Sequence, residues 1–285
     1  METNLQKHTV PIHGNNHNMI NHDIQNNDKQ KQQQQHQHHR LPVSEHYNIN
    51  IRIDPVIPEA AKPTELLLSI TDQKLGDPIR EFELVHDKFM HLIIVGEDLS
   101  YFAHIHPTII PGEDDTIFAI SHTLPESGKY KLWVDFKPKG GNQTVAAFKL
   151  SVTGEPIHGL EELVYDDKYT KYSLDGQYQI SLKIPDKIVA QNDVDITFNI
   201  SDSSGRPITN LEPLMAAGCH SVIISSDLTE FLHVHPTESV DGNWRGGPNV
   251  SFKTSFPKPG NYKAWGQFQH QARVMTAGGY VLRVA

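Results

Sequence analysis

Two His-x-His pairs, His104-Ile105-His106 and His233-Val234-His235, are each preceded by a further histidine, His91 and His220, at the same distance along the chain. Imidazole nitrogen is a ligand that zinc, copper and nickel all accept, and three imidazoles leave at least one coordination position open. The chemistry requires the three rings to converge. A hairpin turn centred on Asp98-Leu99 achieves this by setting His91 directly opposite His106. His104 then lies diagonally on the same face, because side chains two apart on a strand point the same way. The equivalent turn at Asp227-Leu228 sets His220 opposite His235, with His233 alongside. Cβ separations in such a group are ~5–8 Å. A one-residue slip would pair His91 with Ile105 or Pro107 and disperse the group. Two other uses fit the same residues: a hydrogen-bonded histidine network that anchors loops, and a pH-sensing cluster.

Further ligands are sought in the loop before the His91 or His220 strand and in the loop after the strand carrying Trp133 or Trp265, which a sandwich places at one end. The second copy offers Met215 and His270 there; the first offers His86 and, in place of His270, Pro138. A thioether leans the second site toward copper, whereas an all-imidazole first site suits zinc or Cu(II). His122 falls at the other end and His158 in a linker. Cys219 should face away from His220 as a buried, inert thiol.

The elements that must position these rings read as short strands. Alternating or apolar runs occur at 47–54, 65–71, 90–95, 101–106, 117–121, 129–136 and 143–152, with Gly, Pro, Asn and Asp between them. No long 3.6-residue period intervenes, which favours an all-β sandwich over βαβ units. The whole pattern then recurs. Met90–Pro107 matches Cys219–Pro236 at an offset of 129, and Leu124–Trp133 matches Phe256–Trp265 at 132. The expected organisation is a low-complexity tail (1–46), a first domain (47–153), a linker (154–173) and a second domain (174–285). Each copy places a glycine two residues before a tyrosine that opens an alternating strand, Gly128/Tyr130 and Gly260/Tyr262. That is the tyrosine corner of an immunoglobulin-like sandwich. By alternation Trp133 and Trp265 sit on the outer face of their sheets, where an indole caps a core edge, packs under a loop or meets a partner.

The sequence elements "HLIIVGEDLSYFAHIHP", "FLHVHP" and "FPKPGNYKAWGQFQ" resemble those of the YtkA-like/FixH-like β-sandwich proteins of bacteria and archaea. The resemblance covers most of residues 60–285. It implies a tandem β-sandwich, a suspected role in metal and particularly copper handling, and an exported or membrane-tethered location.

Composition narrows the field. The chain has 285 residues, a formal charge of −9, 37% hydrophobic residues and one cysteine, which excludes an intrachain disulfide framework and a Cys-based zinc site. Clustered Lys and Arg of the kind that bind nucleic acid are absent, and no run approaches the ~20 apolar residues of a spanning helix. Residues 1–40 hold seven His, seven Asn and eight Gln; such a segment buries too little apolar surface to order itself and is expected to be disordered. It lacks a signal peptide's apolar core, so a cytoplasmic location is expected, with export or the cell surface as the alternative. No P-loop, dinucleotide fingerprint or serine elbow is present. The sequence therefore points to a tandem immunoglobulin-like protein that binds copper or zinc through its histidines as carrier, buffer or sensor. An interaction module that meets a protein partner, its histidines structural, is one alternative, and a metal-dependent hydrolase another.

Overall fold

The computed structural model describes residues 46–110, 115–155, 163–166, 168–173, 175–234, 236, 238 and 240–285. The tail, His158 and His235 lie outside the described residues. Each repeat contributes nine strands among the described residues. The first has β1 (Tyr47–Asp54), β2 (Pro63–Asp72), β3 (Phe82–Glu83), β4 (Met90–Gly96), β5 (Phe102–Ile105), β6 (Thr108–Ile110), β7 (Ile117–Thr123), β8 (Gly128–Pro138) and β9 (Thr144–Val152). The second has β10 (Thr170–Tyr172), β11 (Tyr178–Lys183), β12 (Asp193–Asp202), β13 (His220–Ser225), β14 (Phe231–Val234), β15 (Asn249–Ser255), β16 (Gly260–His270), β17 (Arg273–Thr276) and β18 (Tyr280–Val284).

In each repeat two antiparallel sheets stack as a sandwich. The first repeat pairs the order β1-β2-β7-β6 with β3-β8-β4-β5, where β9 adds to the outer edge of β8. The second pairs β10-β11-β12-β15 with β14-β13-β16-β17, where β18 extends the edge of β16. Strict alternation builds the cores: β2 buries Leu66, Leu68 and Ile70 on one face, and β12 buries Val194, Ile196, Phe198 and Ile200. β4 and β13 are buried along their whole length, so their second face is also covered.

The tyrosine corner closes in both repeats. Tyr130 donates its hydroxyl to Glu126 O at 2.8 Å, and Tyr262 donates to Lys258 O at 2.9 Å. Gly128 and Gly260 adopt φ of 139° and 143°, a backbone conformation that side chains oppose, which explains a glycine at that step before each tyrosine.

What covers the second face of β4 and β13 is the other repeat. Ile93, Val95, Leu99, Trp133 and Val145 form one apolar cluster with Val222, Ile224, Phe231 and Trp265. The contacts come in matched pairs. Trp133 stacks on Phe231 (centroids 5.5 Å apart, 16° between planes), and Trp265 stacks on Phe102 (4.7 Å, 11°). Lys131 donates to Leu228 O, and Lys263 to Leu99 O at 2.9 Å. Both leucines take positive φ (60° and 59°) at the hairpin tips. The two sheet faces thus meet as a self-complementary pair within one chain. Each aliphatic or aromatic side chain buried there contributes roughly 1.5–3 kcal/mol. The indoles, expected at a core edge, under a loop or on a partner surface, are instead buried between the repeats.

Tyr130→Phe keeps the ring and deletes one hydrogen bond, so it should lower unfolding stability by about 1 kcal/mol without changing the denaturant slope. Equilibrium denaturation of the full chain would measure this. A loss several times larger would mean the corner holds more than its own turn.

Candidate metal centre

The register that positions the histidines follows from short hairpins. Leu92 pairs with Ile105 and Ile93 with His104; in the second repeat Ser221 pairs with Val234 and Val222 with His233. His91 and His104 therefore share the face of Ile93 and Trp133, which is the face turned toward the other repeat. Across β8 and β16, Asp135 sits opposite His91 and Gln267 opposite His220. From one end to the other, the interface runs from histidines through aromatic and aliphatic side chains to the two lysines.

In the first repeat, one nitrogen from each of His91, His104 and His106 lies within 4.8 Å of the others. Ring centroids are 4.7–5.2 Å apart. His91 Nε2 donates to Val85 O at 2.8 Å. A carbonyl only accepts, so the ring's proton is on Nε2 and Nδ1 carries a lone pair. His104 Nδ1 donates to Gln267 Oε1 at 2.7 Å, and the amide is oriented by its own Nε2, which donates to Thr276 Oγ1 at 3.2 Å. His104 Nε2 therefore also carries a lone pair. These two bare nitrogens face each other at 2.9 Å. His106 Nε2 is buried beside them with no hydrogen-bond partner.

The second repeat repeats the arrangement. His220 Nε2 donates to Leu214 O at 3.0 Å, with Met215 O at 3.4 Å, and His233 Nδ1 donates to Asp135 Oδ2 at 3.1 Å. His220 Nδ1 and His233 Nε2 lie 3.4 Å apart. Two nitrogens held ~2.0–2.1 Å from one tetrahedral ion are separated by about 3.4 Å. The two groups are not remote from each other. His91 and His104 each lie 5.3 Å from His233 by centroid, and His86 sits 5.6–6.2 Å from His91, His220 and His233.

Burial keeps these rings neutral. Loss of water drives His91 down to about 4 and His220 to about 4. His106 falls to about 3 and His104 lies well below the usual value, again through burial and then through neighbouring imidazoles. Asp135, fully buried, is pushed up to about 7 by the same loss of water, against a hydrogen bond from Gln143. A proton shared between the facing nitrogens would charge a ring that the surroundings hold neutral. Neutral imidazoles whose outer N–H is tied to a carbonyl, an amide or a carboxylate are the state in which histidine ligates metals.

Three expectations need correction. His270, placed by its loop near the second trio, lies on the opposite face of β16. Trp265 and Gln267 point to the other repeat, so His270, an odd number of residues further on, points inward, where Tyr178 Oη and Asn210 Oδ1 occupy its two nitrogens at 2.8 and 3.1 Å. Met215, expected as a thioether ligand, meets His220 through its carbonyl oxygen at 3.4 Å. It shares a turn with Ala216, and its counterpart turn is His86-Asp87. All four have positive φ, 47–61°, between Leu214↔Ala217 and Val85↔Lys88 bridges. Such two-residue turns favour Asn and Gly, so the sequence hid them. The expected pair of separate sites is a single continuous histidine cluster. Cys219 Sγ is buried in the second core. The acceptors Val85, Leu214, Gln267 and Asp135 carried no signal in the sequence beyond the parity that puts Asp135 and Gln267 on the tryptophan face.

A family described as "Domain of unknown function (DUF8832)" matches twice, at residues 43–154 and 172–284. No curated protein matches the chain. Among solved structures it is similar to a two-domain fibronectin type III segment of chicken tenascin (12% identity, 83% of this chain and 97% of that one, TM-score 0.23). It is also similar to red sea bream transglutaminase (10%, 83% and 31%, 0.23) and to a Corynebacterium diphtheriae protein described as membrane anchored (10%, 85% and 59%, 0.25). The chain spans about a third of the transglutaminase and under two thirds of the Corynebacterium protein. At these scores the likenesses add nothing to the site. No helix among the described residues is long and apolar enough to cross a membrane.

The lowered histidine values fix a sign for the metal-free protein. His91, His220 and His106 take up a proton more readily unfolded, near pH 6.5, than folded, near 4, 4 and 3 respectively. Stability is thus complete above pH 6.5 and falls as the pH drops toward 4. At pH 5 a ring lowered to about 4 removes on the order of 2 kcal/mol. Asp135, raised in the fold, acts in the opposite sense over pH 7 to 4 and offsets about one ring. Denaturant midpoints of metal-free protein should therefore fall steadily from pH 7.5 to 5; a flat profile would show the rings are not held neutral.

Proposed function

The chain belongs to the DUF8832 family, each repeat being one copy of its domain, and from that premise we propose that it binds a transition-metal ion, copper or zinc, at His91, His104 and His106, as a carrier, buffer or sensor. One observation carries the reading: His91 Nδ1 and His104 Nε2 face each other, buried, at 2.9 Å while the second nitrogen of each ring is taken up by Val85 O or Gln267 Oε1, with the partnerless His106 Nε2 beside them. Facing lone pairs repel, and a cation between them turns that repulsion into ligation. Opening the 2.9 Å separation by about half an ångström gives the span of two ligands on a tetrahedral ion. The donors are imidazole alone, which suits zinc and Cu(II) and needs no thiolate. The resemblance to the YtkA-like/FixH-like proteins supports the same reading.

His220 and His233 of the second repeat belong to the proposal as the adjoining half of the cluster, and His86 as its rim; His235 is proposed with them on its sequence spacing alone. The other two readings lose their support in particular places. An interaction module would present its tryptophans, which are covered by the opposite repeat. A hydrolase would need a carboxylate ready to act as base, yet Asp135 is engaged by Gln143 and His233, and Asp98 and Asp227 are bound in hairpin turns.

Tag-free full-length protein should retain copper or zinc through gel filtration against a competing chelator. His104→Ala should release the tightly held ion, while His270→Ala, which lies outside the cluster, should leave retention unchanged. Equal metal content in parent and His104→Ala would overturn the reading, because the remaining ions would then belong to other histidines, such as those of the tail.

A further inference from the structure

The ring orientations on which the metal reading rests are not set within one repeat. His91 and His220 donate to carbonyls of their own repeat, Val85 and Leu214. His104, from the first repeat, donates to Gln267 of the second, and His233, from the second, donates to Asp135 of the first. Gln267 and Asp135 occupy equivalent positions on β16 and β8, so the exchange is reciprocal. Both are held in place. Gln267 is anchored through Thr276 at 3.2 Å, and Asp135 receives Gln143 Nε2 at 2.9 Å on both carboxylate oxygens. His104, His233 and Asp135 are all buried, so in the docked state these acceptors are side chains of the opposite repeat rather than water.

We propose that Gln267 and Asp135 are positioning residues that each act on a histidine of the opposite repeat, so that ion binding and the docking of the two repeats are one linked equilibrium. The inference rests on the metal reading above. Its physical content is simple. With the repeats docked, the acceptor fixes the proton on Nδ1 and aims Nε2 into the cluster. With the repeats apart, His104 loses that preference, its ring turns freely, and the ion loses a ligand. Partners of this kind typically alter metal affinity 10–100-fold. By reciprocity, whatever the docked interface adds to ion affinity, the ion adds to docking. The ion then acts as a clamp across two sandwiches joined by the segment 154–173, and release of the ion loosens them.

The test uses the full chain, in which the tail contributes equally to every variant. Zn(II) and, in parallel, Cu(II) are titrated against a chromogenic chelator for the parent, Gln267→Leu and Gln267→Glu. Hydrogen exchange is followed in β8 and β16 with and without the ion. Gln267→Leu should weaken binding 10–100-fold, whereas Gln267→Glu, which keeps an acceptor on His104 Nδ1, should bind at least as well as the parent. The ion should slow exchange in both strands of the parent and do so less in Gln267→Leu. Equal affinities for all three proteins, or equal weakening in Leu and Glu variants, would overturn the inference and leave the metal reading standing. Failure of the parent to bind either ion would overturn both. If Gln267→Leu does not fold, Asp135→Asn replaces it: the amide oxygen still accepts from His233, so folding and binding should survive, and loss of binding in a folded Asp135→Asn would show that charge rather than ring orientation matters.

Discussion

The stacking of Trp133 on Phe231 and of Phe102 on Trp265 fixes how far apart the two facing sheets sit, and the polar end of the interface takes its geometry from that separation. Aromatic rings of this size in near-parallel contact tolerate little change in spacing. Once they are seated, β4 and β13 cannot turn their second face to water, and the histidines at one end of each strand must be buried against each other. Burial removes the proton as the stabiliser of an imidazole cluster, because charging a ring in that setting is costly. A metal cation of the kind proposed would satisfy inward-facing nitrogens without adding a titrating proton.

Much of this could be read from residues alone. The offset between Met90–Pro107 and Cys219–Pro236 exposed the duplication, and the turn at Asp98-Leu99 fixed a register that pairs Ile93 with His104. The tyrosine corners were legible because a glycine with positive φ and a tyrosine that must bond backward leave a spacing in the sequence. Parity also said that Trp133 and Asp135 share a face, and the pairing of β4 with β8 adds His91 to it. What no period encodes is the cover on an outer sheet face. The pattern marks it as suited to burial, and only the paired contacts of the two repeats show that each covers the other.

His270 illustrates a different failure. Its loop does lie at the cluster's end of the sandwich, as the bridge from Glu212 to Gln269 shows, but strand phase outranks loop proximity. Residues 265 and 267 face the other repeat, so 270 faces the core and is satisfied by Tyr178 and Asn210. The reverse error hid Val85 and Leu214. They act through backbone carbonyls presented by turns whose central residues, His86-Asp87 and Met215-Ala216, lack the Asn-Gly signature of positive φ. A backbone acceptor leaves no trace in side-chain chemistry.

The division of labour along the interface explains how such a site can persist without an ion. The aliphatic and aromatic layer holds the sheets together, so the histidine end does not have to contribute to docking and tolerates facing lone pairs that would disperse on an exposed loop. His91, His104, His220 and His233 are each fixed at one nitrogen by a carbonyl, an amide or a carboxylate, and that fixation costs nothing further when an ion enters. Binding then gains from ligands already ordered, which is the condition under which a small number of neutral imidazoles can hold a metal firmly. The packing of one region thereby preserves the unsatisfied chemistry of another, and the duplication supplied both at once, since in each copy the strand pair that carries the clustered histidines also carries one ring of a stack, Phe102 or Phe231.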